Sequence, residues 1–217
     1  RNYYIERYGR KNSLLILNSP KIVTNSNSPK IPDVRAAFKF SESDKIYLYI
    51  GIFGKGRGIE QALIAFEQVK KTNKAVFVGW GVLEDQIRKS KGFGENIFLH
   101  PAIHHELLPE FASTADFGLC LLEPVSKSDY FALPNKLFEY AFAGVPILGS
   151  NFPDISDIVQ RHSLGVCFEP TIEGLINAVQ KAENIPFQLD QVNIEDLSWK
   201  AQEDRLISAY KKLLGNI

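Results

Sequence analysis

Between Asp129 and Glu139 the chain carries Pro134-Asn135-Lys136-Leu137-Phe138-Glu139, residue types that can grip a phosphate and a sugar hydroxyl together. Proline suits the first position of a helix, where its missing N–H costs nothing. With Pro134 there, the amides of Asn135, Lys136 and Leu137 are expected to be unpaired and to point out of the helix start. A phosphate at that point gains hydrogen bonds and a favourable dipole, and the Lys136 ammonium adds a full charge. Asn135 and Glu139 are four apart and share a face, so the Glu139 carboxylate lies one turn away, placed to accept from two ribose hydroxyls. The competing reading is a solvated Lys136–Glu139 pair on the helix surface, worth ~0.2–0.5 kcal/mol.

A second candidate is Gly51–Gly58, which reads Gly-Ile-Phe-Gly-Lys-Gly-Arg-Gly between an apolar run and a helical pattern. Gly54 and Gly58 let the backbone turn tightly and approach a ligand, while Lys55 and Arg57 add positive charge at a helix start. A turn that is glycine-rich for steric reasons alone is the alternative. The spacing is not the dinucleotide fingerprint, and the next strand ends at Phe77-Val78-Gly79 without an acidic residue to hold a ribose, which excludes an NAD site. His100, His104 and His105 cluster later in the chain. No carboxylate–His or Cys–His spacing accompanies them, so they read as loop histidines and no metal is expected.

The elements that must position these residues alternate regularly. Apolar runs at Ile46–Phe53, Ala75–Gly79, Asn96–Leu99, Phe117–Leu122, Val145–Gly149 and Gly165–Phe168 are apolar on successive residues, as strands buried on both faces are. Helical patterns lie between and after them, at Ile59–Lys70, Leu83–Ser90, Glu106–Ala112, Asn135–Phe142, Ile155–Arg161 and Ile172–Ala182. In the first, Ile59, Ala62, Leu63, Phe66 and Val69 share one face. The fold class is therefore α/β: a Rossmann-like parallel sheet of about six strands with helices on both faces. Ligands bind such sheets at the carboxyl ends of the strands. The Asn135 helix, the turn Gly144-Val145-Pro146 and the strand after it are expected to form a crevice there.

The ends depart from this rhythm. Arg1–Arg10 reads as a helix end, Ser13–Leu17 as a further short strand, Asn18–Pro32 as a linker and Ile185–Ile194 as irregular. A last helix is expected from Trp199 to Leu214, capped by Ser198, with an apolar stripe of Trp199, Leu206, Tyr210 and Leu213 that needs a partner surface.

Formal charge is zero, from 25 basic and 25 acidic side chains, which lacks the basic excess of a nucleic-acid partner. Residues 1–39 nevertheless hold eight Lys/Arg against Glu6 and Asp33. A solvated segment explains this; a surface lying near anionic lipid headgroups is the sharper alternative. Cys120 and Cys167 sit in apolar runs and are expected to be buried, reduced thiols of a cytoplasmic protein. No run is long and apolar enough to span a bilayer. The chain starts at Arg1 and contains no Met, so it reads as a piece of a longer polypeptide.

Residues from about 46 to 214 resemble the C-terminal domain of glycosyltransferase family 4, GT-B enzymes that use nucleotide-sugar donors. The resemblance is carried by Gly51–Gly58 with Ile59–Phe66, Phe77–Gly81, Asn96–Ile103, Leu107–Leu122, Ser198–Leu214 and above all Leu133–Ser150. It implies a ribose-binding role for Glu139, a diphosphate contact for Arg57 with Gly58, and a nucleotide base flanked by Gly79, Ala102 and Ile103. It further implies that residues 1–17 are the tail of a missing N-terminal acceptor domain and 18–40 a linker. Residues 41–197 become the donor-binding domain, and 198–217 a helix packing toward the missing part. Two positions differ from the family pattern: Phe131 stands where the first glutamate of its E-x7-E motif is expected, and Ile52 where an arginine usually follows glycine.

The function implied is retaining transfer of a sugar from a nucleoside-diphosphate donor, without metal, to a glycan or lipid-linked acceptor held by the missing domain. This piece alone is then expected to be inactive. Cytoplasmic placement with peripheral association at the inner membrane face suits the basic end. Phe131 and Ile52 keep open a non-catalytic nucleotide-binding module or partner subunit, and a GT-B-shaped sugar-nucleotide epimerase or hydrolase is the nearest enzyme rival.

Overall fold

The computed structural model describes residues 2–9, 13–21, 33–184 and 194–215. Two compact units are present, one comprising Val23–Val192 and the other Arg1–Ile22 with Asn193–Ile217.

The larger unit is built on six parallel strands in the order β3-β2-β1-β4-β5-β6. These are β1 (Lys45–Ile52), β2 (Asn73–Trp80), β3 (Ile97–His100), β4 (Phe117–Cys120), β5 (Ile147–Ser150) and β6 (Gly165–Phe168). Ile46 to Tyr49 on β1 and Ala75 to Val78 on β2 are buried without alternation, because helices cover both sheet faces. The strand order reverses between β1 and β4, and in a sheet of this kind the crevice forms at that reversal.

Helix α3 (Ile59–Gln68) buries Ile59, Ala62, Leu63 and Phe66, and Val69 just beyond its end, against the sheet. Helix α9 (Ile172–Ala182), capped by Thr171, packs beside it. The other connections carry α4 (Glu84–Lys89), α5 (Leu108–Ala112), α7 (Asn135–Phe142) and α8 (Pro153–Arg161). The amphipathic patterns thus give the expected helices.

Two short helices were not expected. Helix α2 (Val34–Phe38) lies inside the expected 18–40 linker; Asp33 caps it by accepting from the Ala36 amide at 2.5 Å, and Val34 is buried. The Arg35 guanidinium bonds the Asp116 carboxylate at 3.3 Å, which docks α2 to the start of β4. Helix α6 (Lys127–Tyr130) starts at Ser126, whose hydroxyl accepts from the Asp129 amide and donates to the Asp129 carboxylate. Both are too short for periodicity to reveal. Most of the remaining expected linker, residues 22–32, lies outside the described residues, as does most of Ile185–Ile194.

In the smaller unit α1 is Asn2–Tyr8 and α10 is Trp199–Leu213, with a 3-10 turn at Glu195–Leu197. Ser198 caps α10 as expected, accepting from the Ala201 amide at 3.2 Å. Ser13–Leu17 is not a strand: it has no ladder partner among the described residues, and the Leu17 amide donates instead to the Gln202 side chain on α10 at 3.1 Å. Tyr210 and Leu213 of the expected stripe are exposed, while Gln202 is the buried residue of α10. Among the described residues no helix is long and apolar enough to cross a membrane.

Gly58 closes the loop after β1 and begins α3 with φ of +68°, and a Cβ there would lie 2.7 Å from Leu121 Cβ. The left-handed backbone costs about 1–2 kcal/mol for a residue with a side chain, and the overlap about 1–3 more. Gly58→Ala is therefore expected to lower the melting temperature by roughly 5–15 °C, read by calorimetry. An unchanged transition would show that the loop adapts at no cost.

Candidate functional site

Strand β1 pairs with β2 along its whole length but with β4 only at Tyr47↔Phe117 and Leu48↔Gly118. Beyond those pairs β1 and β4 part. The loop 53–58 after β1, the segment 121–126 after β4 and the start of α7 surround the opening.

Lys136 reaches into this opening. Its Nζ lies 3.6 Å from the centroid of the Tyr49 ring, and a Cβ on Gly51 would stand 3.9 Å from it. The Nζ is enclosed and has no hydrogen-bond partner among the described residues. A cation over an aromatic face gains about 2 kcal/mol when desolvated, which leaves three N–H donors unmet. The Lys136 pKa is pulled down to about 8, chiefly by burial and also by Arg57, while Cys120 and Glu139 oppose the shift. The mostly buried Glu139 carboxyl is pushed upward by burial and pulled back by Lys136. Neither fits the solvated surface pair that the spacing alone allowed. An anion with several acceptor oxygens is the group that would satisfy this ammonium.

The helix start differs in detail from its expected form. Pro134 is the residue before α7, with φ −70° and ψ 144°, one position earlier than expected. Its carbonyl accepts the Leu137 amide at 3.1 Å, so Leu137, whose side chain is buried, offers no free donor; this corrects the expected trio. The amides of Asn135 and Lys136 donate to no carbonyl among the described residues.

Across the opening, Lys55 and Arg57 are exposed on the loop and Gly54 is half-buried, its amide donating to the Ile52 carbonyl at 3.1 Å. The Gly58 amide is not free: it donates to Glu123 Oε1 at 3.1 Å, while the Glu123 amide returns to the Gly56 carbonyl at 3.0 Å. The chain's own carboxylate thus occupies the start of α3. Gly79 is buried opposite Gly51 near the end of β2, and exposed Ala102 and half-buried Ile103 follow β3 on the adjacent strand. Phe131 is 40% exposed at the end of α6, edge-on to Tyr130 at 5.0 Å. His104 and His105 lie side by side on the exposed turn after β3, and the His100 Nδ1 meets the Pro101 carbonyl at 2.7 Å. Cys120 is a buried thiol pushed up to about 12 by burial; Cys167, expected to be buried, is only half-buried.

Glu123 and Tyr49 were missed in the sequence. Glu123 is the first charged residue after β4, at the strand end where ligands gather, and that position was a usable signal. Tyr49 sits in an apolar run and looks like core.

Because the folded chain favours neutral Lys136, the ammonium opposes folding below about pH 8 and ceases to do so as pH rises toward the ordinary lysine value of 10.5. Lys136→Met is expected to be more stable than the native chain at pH 7, by about 1–3 kcal/mol in urea titrations. The gap should narrow between pH 8 and 10.5. A less stable Met variant would mean that the ammonium is already satisfied.

Residues 30–196 match the family described as glycosyl transferases group 1. No curated protein sequence matches the chain. Among solved structures it is similar to WaaG, a glycosyltransferase involved in lipopolysaccharide biosynthesis, with 18% identity, TM-score 0.54, and coverage of 80% of this chain and 46% of that one. HepE of Anabaena, solved with UDP and glucose, gives 14% identity, TM-score 0.53 and coverage of 70% and 41%. TarM of S. aureus, solved as a point mutant with fondaparinux, alpha-GlcNAc-glycerol and UDP, gives 16% identity, TM-score 0.61 and coverage of 96% and 41%. The chain spans less than half of each of these proteins, and at such identities the likeness is one of fold. Its sheet and helices are those of a GT-B Rossmann-like domain, and the chain belongs to the glycosyl transferases group 1 family.

Proposed function

We propose that the larger unit binds the nucleoside-diphosphate portion of a sugar donor in the crevice between β1 and β4. The observation that carries this reading is the enclosed Lys136 ammonium without a hydrogen-bond partner, at the helix start and one turn from Glu139. The diphosphate takes the Lys136 ammonium and the amides of Asn135 and Lys136, with Arg57 and Lys55 closing from the facing loop. Glu139 accepts from the ribose hydroxyls, and the base lies toward Gly79, Ala102 and Ile103. HepE and TarM were solved with UDP, which makes UDP the first nucleotide to try.

In this reading the chemical step is cleavage of the bond between the anomeric carbon and the diphosphate oxygen. The negative charge left on the diphosphate is met by fixed cations and amides, and such preorganised charge lowers the barrier. The side-chain cations serve here as the charge partners, and no metal ion is invoked. The sugar goes, with retention, to a glycan or lipid-linked acceptor bound outside this chain. Retention and the acceptor rest on the family resemblance.

Phe131 and Ile52, at positions where the family pattern has a glutamate and an arginine, favour a second reading, a binding module without catalysis. Transfer of sugar by a longer form of the protein would exclude it.

Calorimetric titration with UDP, GDP and ADP tests the donor site. At least one should bind the native chain, with an affinity unchanged by EDTA. Glu139→Ala should weaken binding roughly 10–100-fold, the loss of hydrogen bonds to a charged group. Equal binding by the alanine variant removes Glu139 from the ribose, and EDTA sensitivity brings a metal back into the site.

A further inference from the structure

We propose that Tyr140 is a positioning residue for the donor diphosphate: its hydroxyl holds β1 and β4 apart and keeps Lys136 in the crevice between them. The proposal rests on the donor-site reading above and adds to it the device that shapes the site.

Alternate residues of β1 turn their peptide groups toward β4. Ile46 is satisfied there by Asp116, whose amide donates to the Ile46 carbonyl at 3.0 Å and whose carboxylate accepts the Ile46 amide at 2.9 Å. Beyond the two paired residues, the next donor on that side is the Ile50 amide, which meets Tyr140 instead of β4. The Tyr140 hydroxyl donates to Leu48 O at 2.8 Å and accepts from Ile50 N at 3.0 Å. One side-chain oxygen thus replaces a rung of the ladder, and Tyr140 is wholly buried while doing so. Gly118 on β4 leaves room for the ring, which any Cβ at that position would strike.

Tyr140 and Lys136 are four residues apart on α7, so they share a helix face. Fixing the hydroxyl on β1 sets the height of α7 against the sheet, and with it the reach of Lys136 to Tyr49 and Gly51. Without the hydroxyl, the buried Ile50 amide loses its partner and must take water or re-pair across the gap. Either change alters the enclosure of the ammonium. The groups facing that ammonium are Tyr49 from β1, Arg57 from the loop after it, Cys120 from β4 and Glu139 from α7.

Tyr140→Phe removes only the oxygen. The control is Tyr47→Phe, which removes the buried hydroxyl that donates to the Val179 carbonyl at 3.3 Å on the α9 side of the same strand. Both variants should melt at lower temperature. Only Tyr140→Phe is expected to raise the Kd for the nucleoside diphosphate bound by the native chain, by roughly tenfold. It should also move the pH at which binding fades upward from about 8, as a better-hydrated Lys136 returns toward its ordinary pKa.

Native affinity and native pH dependence in Tyr140→Phe would overturn the proposal. Failure of the native chain to bind UDP, GDP or ADP overturns the donor site and this proposal with it. Should Tyr140→Phe not fold, amide exchange in the native chain decides. Saturating nucleotide should then slow the Ile50 amide roughly tenfold, and an unaltered rate would overturn the proposal.

Discussion

One constraint organises the larger unit: an ammonium is held out of water between two strands with nothing among the described residues to accept its hydrogen bonds. Enclosing a charge costs several kcal/mol even after the surroundings relax. The Tyr49 ring offsets part of this and the depressed pKa registers the rest. The strands must part, the helix must begin at the opening, and small residues must line it. Each of these is visible in the chain, in the two-residue pairing of β1 with β4, in Asn135 at the start of α7, and in Gly51 beside the Nζ.

A parallel sheet opened at its centre leaves peptide groups without partners, and the chain satisfies them with hydroxyls. Ser150, at the end of β5, repeats what Tyr140 does on β1. Its Oγ donates to the Leu122 carbonyl and accepts from the Leu122 amide, each at 2.9 Å. The backbone held by Ser150 leads directly into Glu123, which grips the loop after β1 through Gly58. Both walls of the opening are thus tied by side chains that reproduce ladder bonds, so the crevice is built from the same hydrogen-bond inventory as the sheet.

Much of this was legible in the sequence. Continuous apolar runs separated by amphipathic stretches define a buried parallel sheet because no other common arrangement covers both faces of a strand, and all six strands form, with ends shifted by at most two residues. Helices α2 and α6 escaped, since both are shorter than two helical turns and are fixed by the caps Asp33 and Ser126. Ser13–Leu17 has an apolar pattern but no neighbouring strand among the described residues, and pairing is not encoded in the segment itself. At the site, Lys136 and Glu139 were identified from spacing. The one-position offset of Pro134 and the occupied Leu137 amide were not, because they depend on how the chain enters α7. The roles of Tyr49 and Tyr140 depend on depth: both look like apolar core until the polar atoms around them are counted.

The contact between Glu123 and Gly58 gives the crevice a direction. Two helices begin at its rim, and a glycine-rich turn before α3 would ordinarily make that helix the more inviting one for an anion. Here the Glu123 carboxylate already takes the amide of Gly58, the residue before α3, whereas the first amides of α7 lie beside the Lys136 ammonium. Under the donor-site reading, a diphosphate meets Lys55 and Arg57 beside the Glu123 carboxylate at one helix start and the Lys136 ammonium at the other. The two helix starts are therefore not equivalent, and under that reading this inequality would favour one orientation of a bound molecule before any sugar or base is read.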